Sequence, residues 1–281
     1  KRKNVASMVA EEIAEFYMDS NFKNLSVLLL AAGVGSRLMP LTNSWPKCLM
    51  PIGKKPLLEY WLSIFYKLDI NKVMVNLHYK SEIVESFLQR DRFKDWVVSD
   101  FEPVLLGTAG TLKKHMPFFL NDTLLLIHAD NWSQCNISAF IEFHSNDRPE
   151  NCLITMMTFH SDQPSECGIV ELDDQNRVIK FYEKVQNPPS NLANAAVYLI
   201  EPEVLRWIDN KRNISDFSND VLPNFLGKIA TWHNDNIHRD IGTLKNLQKA
   251  QLDKKPNDAW SSPDQWELDF HQNPIHGQIK I

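Results

Sequence analysis

The segment Gly33-Val34-Gly35-Ser36-Arg37 sets small residues directly before a guanidinium, and Lys47 follows across a stretch containing Pro40 and Pro46. Small residues let backbone N–H groups approach phosphate oxygens closely, and an arginine can grip those oxygens with two parallel bonds. Pro40, Pro46 and Pro51 stiffen the loop, so its two cations are placed before any ligand arrives. The chemistry these residues can do is to hold a polyphosphate and stabilise charge on it. Two common glycine motifs are excluded: the third glycine of a dinucleotide fingerprint would fall on Leu38, and Gly-Lys-Ser/Thr is absent. An isolated Gly-x-Gly reads more readily as a plain tight turn, so Arg37 and Lys47 carry the argument.

Two acids could add a cation to such a site. Asp130 follows the apolar run Thr123–His128, and Asp240 stands between Ile237-His238-Arg239 and Ile241-Gly242-Thr243. Magnesium (Mg2+) in nucleotide sites takes one or two carboxylates together with phosphate oxygens and water. Either aspartate alone could instead cap a helix or a turn. His238-Arg239-Asp240 has the look of a kinase catalytic loop, but the asparagine that loop requires would fall on Lys245. Mg2+ prefers oxygen ligands, so His128 reads as a packed strand histidine.

The elements that must position these residues alternate through the first half. Predicted strands run over Leu25–Ala32, Lys72–Leu77, Trp96–Ser99 and Thr123–His128, with predicted helices over Pro56–Leu68, Lys80–Arg90 and Ala109–His115 between them. Strand–helix alternation implies a parallel sheet covered on both faces, with ligands beyond the carboxyl ends of its strands. The second half is richer in strands, at Leu153–His160, Gly168–Leu172, Val178–Tyr182 and Ala195–Ile200, with a turn at Asp173-Asp174-Gln175-Asn176. Asp216–Leu226 and Thr243–Leu252 are predicted helical around a strand at Ile229–Trp232, and residues 253–281 read as an irregular C-terminal extension. Residues 1–24 carry Val5, Met8, Val9, Ile13, Phe16 and Tyr17 at helical spacing, which predicts an amphipathic helix that docks on the chain or is the remnant of an upstream module.

The formal net charge of −5 over 281 residues supplies no broad cationic field, which argues against nucleic acid or an anionic membrane as main partner. The longest apolar run, Val27–Ala32, is far too short to span a bilayer. Cys48, Cys135, Cys152 and Cys167 form no Cys-x-x-Cys pair, which argues against a zinc knuckle and against a disulfide framework. A cytoplasmic protein is the expectation.

The run Leu28-Leu29-Leu30-Ala31-Ala32-Gly33-Val34-Gly35-Ser36-Arg37-Leu38-Met39-Pro40-Leu41-Thr42, with Pro46-Lys47-Cys48-Leu49-Met50-Pro51-Ile52 and Lys55-Pro56, closely resembles the signature of the sugar-nucleotide pyrophosphorylases. These are the NTP:sugar-1-phosphate nucleotidyltransferases, and the chain looks most like their mannose-1-phosphate guanylyltransferase-type members. The resemblance covers residues 25 to 250 or so, within a transferase domain taken as 25–252. It implies an α/β fold: a Rossmann-like mixed, mostly parallel sheet flanked by helices, with a β-rich sugar-binding lobe. It implies that Leu30, Ala31, Ala32 and Gly33 lie along base and ribose, that Gly35, Ser36 and Arg37 embrace the β- and γ-phosphates, and that Lys47 reaches the α-phosphate. Ser36 stands where the family usually has threonine.

Further segments match in the family's order. Leu106-Gly107-Thr108-Ala109 resembles the stretch lining the nucleobase, with Gly107 and Thr108 as contacts; Thr108 could also cap a helix. Glu102 or a neighbour would meet the base edge. Leu124–Asp130 and Asp240-Ile241-Gly242-Thr243 resemble the metal-binding segments, which makes Asp130 and Asp240 the implied Mg2+ ligands; Ala129 replaces the usual glycine. In the second half the resemblance implies that Gly168 leaves room for the sugar ring, Glu183 and Asn194 hydrogen-bond the sugar, and Lys184 pairs with its 1-phosphate. Ala196 stands where many relatives have glycine, which predicts a tighter sugar pocket.

The activity implied is condensation of a nucleoside triphosphate, GTP by preference, with mannose or a related hexose or heptose 1-phosphate, for polysaccharide or glycoconjugate biosynthesis. Arg37, Lys47, Asp130 and Lys184 would carry it. Uridylyl or cytidylyl transfer, or a non-catalytic regulatory subunit on the same fold, are the alternatives, and homo-oligomerisation or pairing with an upstream module stays open. A metal-dependent glycosyltransferase would need Asp-x-Asp, which Asp130-Asn131-Trp132 does not supply.

Overall fold

The computed structural model describes residues 24–279, so the helix expected over residues 1–24 lies outside the described residues but for Asn24. Strand Leu25–Leu30 is flanked in parallel by Val73–Leu77 on one side and Thr123–His128 on the other, and Val97–Phe101 extends the first side as a further parallel strand. The chain therefore leaves Leu25–Leu30 in one direction and returns to its opposite edge. That reversal opens a crevice at the carboxyl ends of Leu25–Leu30 and Thr123–His128, where the glycine turn and Asp130 lie.

Beyond Thr123–His128 the sheet turns antiparallel. Leu192–Ile200 pairs with it, then with Ile154–His160, and touches Gly168–Leu172 through Ala193 opposite Ile169; Ile229–His233 runs parallel to Ile154–His160. Gly168–Leu172 and Val178–Glu183 form a hairpin closed at Asn176, whose φ is +57°. The expected β-rich part is thus continuous with the main sheet, which has nine strands among the described residues.

Period-two alternation divides the core. Val27, Leu29, Leu125 and Ile127 point to the face covered by Trp61, Phe65 and Phe87. Leu28, Leu124 and Leu126 point to the other face, with Phe119, Tyr198 and Phe217. Burial on both faces explains why these strands read as continuous apolar runs. No helix among the described residues is long and apolar enough to cross a membrane.

Several expectations need correction. The single helix expected over residues 216–226 is a π-turn, Phe217–Val221, followed by a 3-10 turn, Leu222–Phe225; Pro223 has no N–H to continue an α ladder. Helices at Ile137–Glu142 and Pro202–Asp209 were not expected. The C-terminal stretch is not irregular throughout: Gln265–His271 and Ile275–Gln278 are helical and bury Phe270 and Ile275.

Candidate active site

The glycine turn has a local steric cause. Gly35 has φ +67°, and a Cβ there would lie 2.9 Å from Thr42 Cγ2 and 3.1 Å from Lys47 Cβ. Only glycine allows the turn and lets the backbone pass so close to the Lys47 stem. The Thr42 hydroxyl donates to the Gly35 carbonyl at 3.0 Å and ties the loop to the turn. Ahead of the turn, the Ala31 N–H donates to Asn76 Oδ1 at 2.8 Å. Gly33, Ser36 and Arg37 are exposed, which leaves this turn accessible to a ligand.

Asp130 and Asp240, far apart in sequence, are brought together by two strands of three residues. Asn131–Ser133 pairs antiparallel with His238–Asp240, with Asn131 opposite Asp240. Buried Lys47 lies between the acids: its Nζ donates to Asp130 Oδ2 and to Asp240 Oδ1, each at 2.7 Å. Arg37 Nη2 donates to the other oxygen of Asp240 at 2.8 Å. Burial works against the Lys47 charge, but the Asp130 and Asp240 carboxylates outweigh it and raise its pKa. Burial likewise opposes the Asp240 charge, yet Lys47 and Arg37 prevail and hold its carboxyl down at about 2.

Asp240 is held from behind as well. The Gly242 N–H donates to Asp240 Oδ1 at 2.8 Å, and the Asn246 side chain donates to the Asp240 carbonyl at 2.9 Å. A Cβ at Gly242 would lie 2.7 Å from Arg37 Nη2 and 2.9 Å from Asp240 Oδ1. Gly242, part of the segment that resembles a metal-binding one, has its own place in the site: its N–H holds Asp240, and the space a Cβ would take is filled by Arg37 and Asp240.

The second-half residues gather in the same cleft, of about 800 Å³, whose lining includes Arg37, Lys47, Asp130, Asp240, Gly168, Glu183, Lys184 and Asn194. Gly168 faces Glu183 across the hairpin; a Cβ there would lie 2.5 Å from Phe181 Cζ and 2.9 Å from Glu183 Oε2. Lys184 Nζ is 3.1 Å from Glu183 Oε1, with 65% of its side chain exposed. Asn194 is committed locally: its amide donates to the Tyr198 hydroxyl at 2.5 Å and its Oδ1 accepts from Ala196 N–H at 2.9 Å. These bonds stabilise a bulge in which Ala196 takes φ +53°. The backbone at Ala196 is thus in a conformation that favours glycine, a constraint separate from the size of the sugar pocket. His128 also lines the cleft, so it is not purely a packed strand residue, and burial lowers its pKa.

Leu30, Ala31, Ala32, Gly33, Gly35, Ser36, Gly107 and Thr108 lie outside that lining. Gly107, at φ +78°, precedes the helix Thr108–Lys114, and a Cβ on it would lie 2.4 Å from the Ser215 carbonyl. Thr108 is the first helical residue and not the cap; its hydroxyl accepts from the Phe217 N–H at 2.6 Å. Buried Glu102 accepts through Oε1 from Asn76 Nδ2 at 3.2 Å and from the Thr111 hydroxyl at 2.7 Å. Its Oε2 has no hydrogen-bond partner among the described residues. A buried chain of bonds therefore runs from Ala31 through Asn76 to Glu102 and Thr111.

Among the described residues no group of three or more His, Cys, Asp or Glu side chains is arranged to hold a metal ion by itself. The pair Asp130–Asp240 still suits Mg2+, because both are hard oxygen donors drawn to one cationic point and phosphate oxygens and water can complete such a shell.

Residues 26–256 match the family model described as Nucleotidyl transferase. A protein of Sulfolobus acidocaldarius, provisionally named a mannose-1-phosphate guanyltransferase, is 28% identical over 233 residues, which are 82% of this chain and 63% of the relative. The UTP--glucose-1-phosphate uridylyltransferase of Synechocystis is 29% identical over 245 residues, 80% of this chain and 62% of its own. The chain thus spans less than two thirds of the length of either. A solved structure from Bacillus anthracis, provisionally named a glucose-1-phosphate thymidylyltransferase and holding a sucrose, superposes with a TM-score of 0.73 at 22% identity, covering 84% of this chain and 98% of that one. At that identity the likeness speaks for the fold alone.

Proposed function

This chain belongs to the nucleotidyl transferase family, and we propose that it condenses a nucleoside triphosphate with a sugar 1-phosphate, giving a nucleotide-diphospho-sugar and pyrophosphate. The observation that carries this reading is a buried cation of the cleft, Lys47, held 2.7 Å from both Asp130 and Asp240, with Lys184 presented by the same cleft. A phosphate oxygen of the sugar 1-phosphate, already ionised at neutral pH, attacks the α-phosphorus. The bond from the α-phosphorus to the oxygen bridging to the β-phosphate breaks, and pyrophosphate leaves with that electron pair. No general base and no covalent intermediate are required.

Catalysis is then positioning plus charge neutralisation. Arg37 grips the leaving phosphates, Lys47 stabilises charge on the α-phosphate, and Lys184 orients the sugar phosphate beside Glu183. Asp130 and Asp240 would hold Mg2+, which supplies neutralisation of phosphate-oxygen charge when bound.

GTP with mannose 1-phosphate, or a related hexose or heptose 1-phosphate, is the preferred pair. The Sulfolobus relative carries a guanyltransferase name. The unpartnered Glu102 oxygen also suits a base offering N–H donors, and guanine has two on one edge, N1–H and the N2 amino group. Uracil offers one. A pyrophosphate-release assay crossing the four nucleoside triphosphates with mannose, glucose and heptose 1-phosphates tests this, with GTP expected to turn over fastest. Fastest release with UTP would overturn the base assignment, and no release from any pair would overturn the reaction.

A further inference from the structure

We infer that the C-terminal segment Asp264–Ile279 braces the loop carrying Arg37 and Lys47, with Trp266 and Phe270 as positioning residues that act through Trp45. The inference rests on the functional reading above and adds to it a part of the chain beyond residue 256, where the family match ends.

Between Arg37 and Lys47 the backbone has only short 3-10 turns, Ser36–Leu38, Leu41–Asn43 and Lys47–Leu49. Turns this short do not hold a fixed pose by their own hydrogen bonds. The loop must be set from outside. Within it, the Trp45 indole N–H donates to the Leu49 carbonyl at 2.8 Å, so the ring spans the turn that presents Lys47. That ring packs on Phe270, with centroids 5.7 Å apart and planes at 27°, and lies 6.3 Å from Trp266. Leu38, the neighbour of Arg37, and Leu41 share one buried cluster with Phe270, Ile275 and Ile279. Both flanks of the phosphate loop therefore lean on the C-terminal segment.

A helix as short as Gln265–His271 needs anchoring of its own, and it has two kinds. Asp264 caps it, accepting from the Glu267 N–H at 3.0 Å, and takes a bond from Arg90 Nε at 2.8 Å. Glu267 accepts from Arg92 Nη1 at 2.9 Å, and both arginines also reach the fully buried Glu59. The Arg90 guanidinium lies 5.1 Å from the Trp266 ring, and 5.0 and 5.2 Å from the rings of Phe87 and Phe93. The brace is thus bolted to helix Leu57–Lys67 and to the segment around residues 87–93, and it presents its aromatic rings to Trp45.

The test compares the full chain with Phe270→Ala, Trp266→Ala and Trp266→Phe, and with Phe225→Ala as a control on the opposite face of the sheet. Amide hydrogen exchange is followed in residues 40–50 and in strand Leu25–Leu30, and kcat and KM are measured separately for GTP and mannose 1-phosphate. Phe270→Ala and Trp266→Ala are expected to speed exchange in residues 40–50 about tenfold while the strand stays protected. They are also expected to raise KM for GTP about tenfold with KM for the sugar phosphate within about twofold. Trp266→Phe, which keeps a ring, should restore both. Phe225→Ala should lower thermal stability without the KM split.

Unchanged exchange in residues 40–50 overturns the brace whatever the activity. Faster exchange without the KM split, or the same split in Phe225→Ala, overturns the positioning role. If the unaltered chain releases no pyrophosphate, the functional reading fails instead, and the exchange data alone decide the brace.

Discussion

Lys47 and Lys184 line one cleft, yet 6% of the first side chain is exposed and 65% of the second. Lys47 is gripped by two carboxylates, backed by a proline-bounded loop and hemmed in at Gly35. Among the described residues Lys184 has one carboxylate neighbour, Glu183, and it sits at φ +50° just past a hairpin strand. The difference teaches how the two substrates would be handled. On the triphosphate side charge is fixed before binding, so little reorganisation remains when charge develops in the transition state. On the sugar side the cation can adjust, and the fixed features are steric: Gly168, Phe181 and the bulge at Ala196.

The largest expected effect breaks the fixed side. Lys47→Ala removes the cation and leaves Asp130 and Asp240 facing each other without their shared partner. Turnover should fall about a hundredfold or more, the range seen when one preorganised donor is lost. Lys184→Ala serves as the comparator, because an exposed ion pair contributes little to stability. Steady-state pyrophosphate release and thermal melts on both variants check the contrast. A Lys47→Ala variant with near-normal turnover would mean that the Lys47–Asp130–Asp240 triad is structural only.

A smaller effect is expected on the steric side. Gly168→Ala puts a Cβ where Phe181 Cζ and Glu183 Oε2 now sit, so the Glu183 carboxylate must shift. KM for the sugar 1-phosphate should rise about tenfold while KM for the nucleotide stays put, since only sugar-side binding is touched. Equal rises in both constants would erase the division of labour between the two sides.

Legibility in the sequence followed contact distance along the chain. Strand Leu25–Leu30, the glycine turn, Arg37 and Lys47 are neighbours in sequence, and composition and order alone suggested phosphate binding there. The approach of Asp130 to Asp240 depends on strands of three residues, too short to show a period-two pattern, so only family resemblance paired them. Roles for Asn194 and Ala196 were named from resemblance, but their mutual hydrogen bond is a bulge, which no local pattern announces. The C-terminal helix did leave a trace. Asp264 precedes Glu267 by three positions, and Trp266 and Phe270 are four apart, which is a short amphipathic turn with a cap. Its flanking prolines and polar residues masked it, and the tertiary contacts to Trp45, Arg90 and Arg92 supply most of what holds it.

The smallest effect tests whether the sugar side stores strain. Ala196 adopts φ +53° inside strand Leu192–Ile200, a region that costs an L-residue roughly 1–2 kcal/mol. Glycine would relieve that cost but would lose more backbone entropy on folding, about 0.5–1 kcal/mol relative to alanine. Ala196→Gly should therefore stabilise the chain by about 0.5 kcal/mol, an increase of about 1–2 °C in melting temperature for a chain of this size. The Asn194 Oδ1 bond to the N–H of residue 196 survives the change, so the bulge itself is kept. Calorimetric melts of the two proteins decide it. A lower melting temperature for Ala196→Gly would show that the bulge holds alanine without net strain, and the contrast between a charge-fixed side and a sterically fixed side would then rest on Gly168 and Phe181 alone.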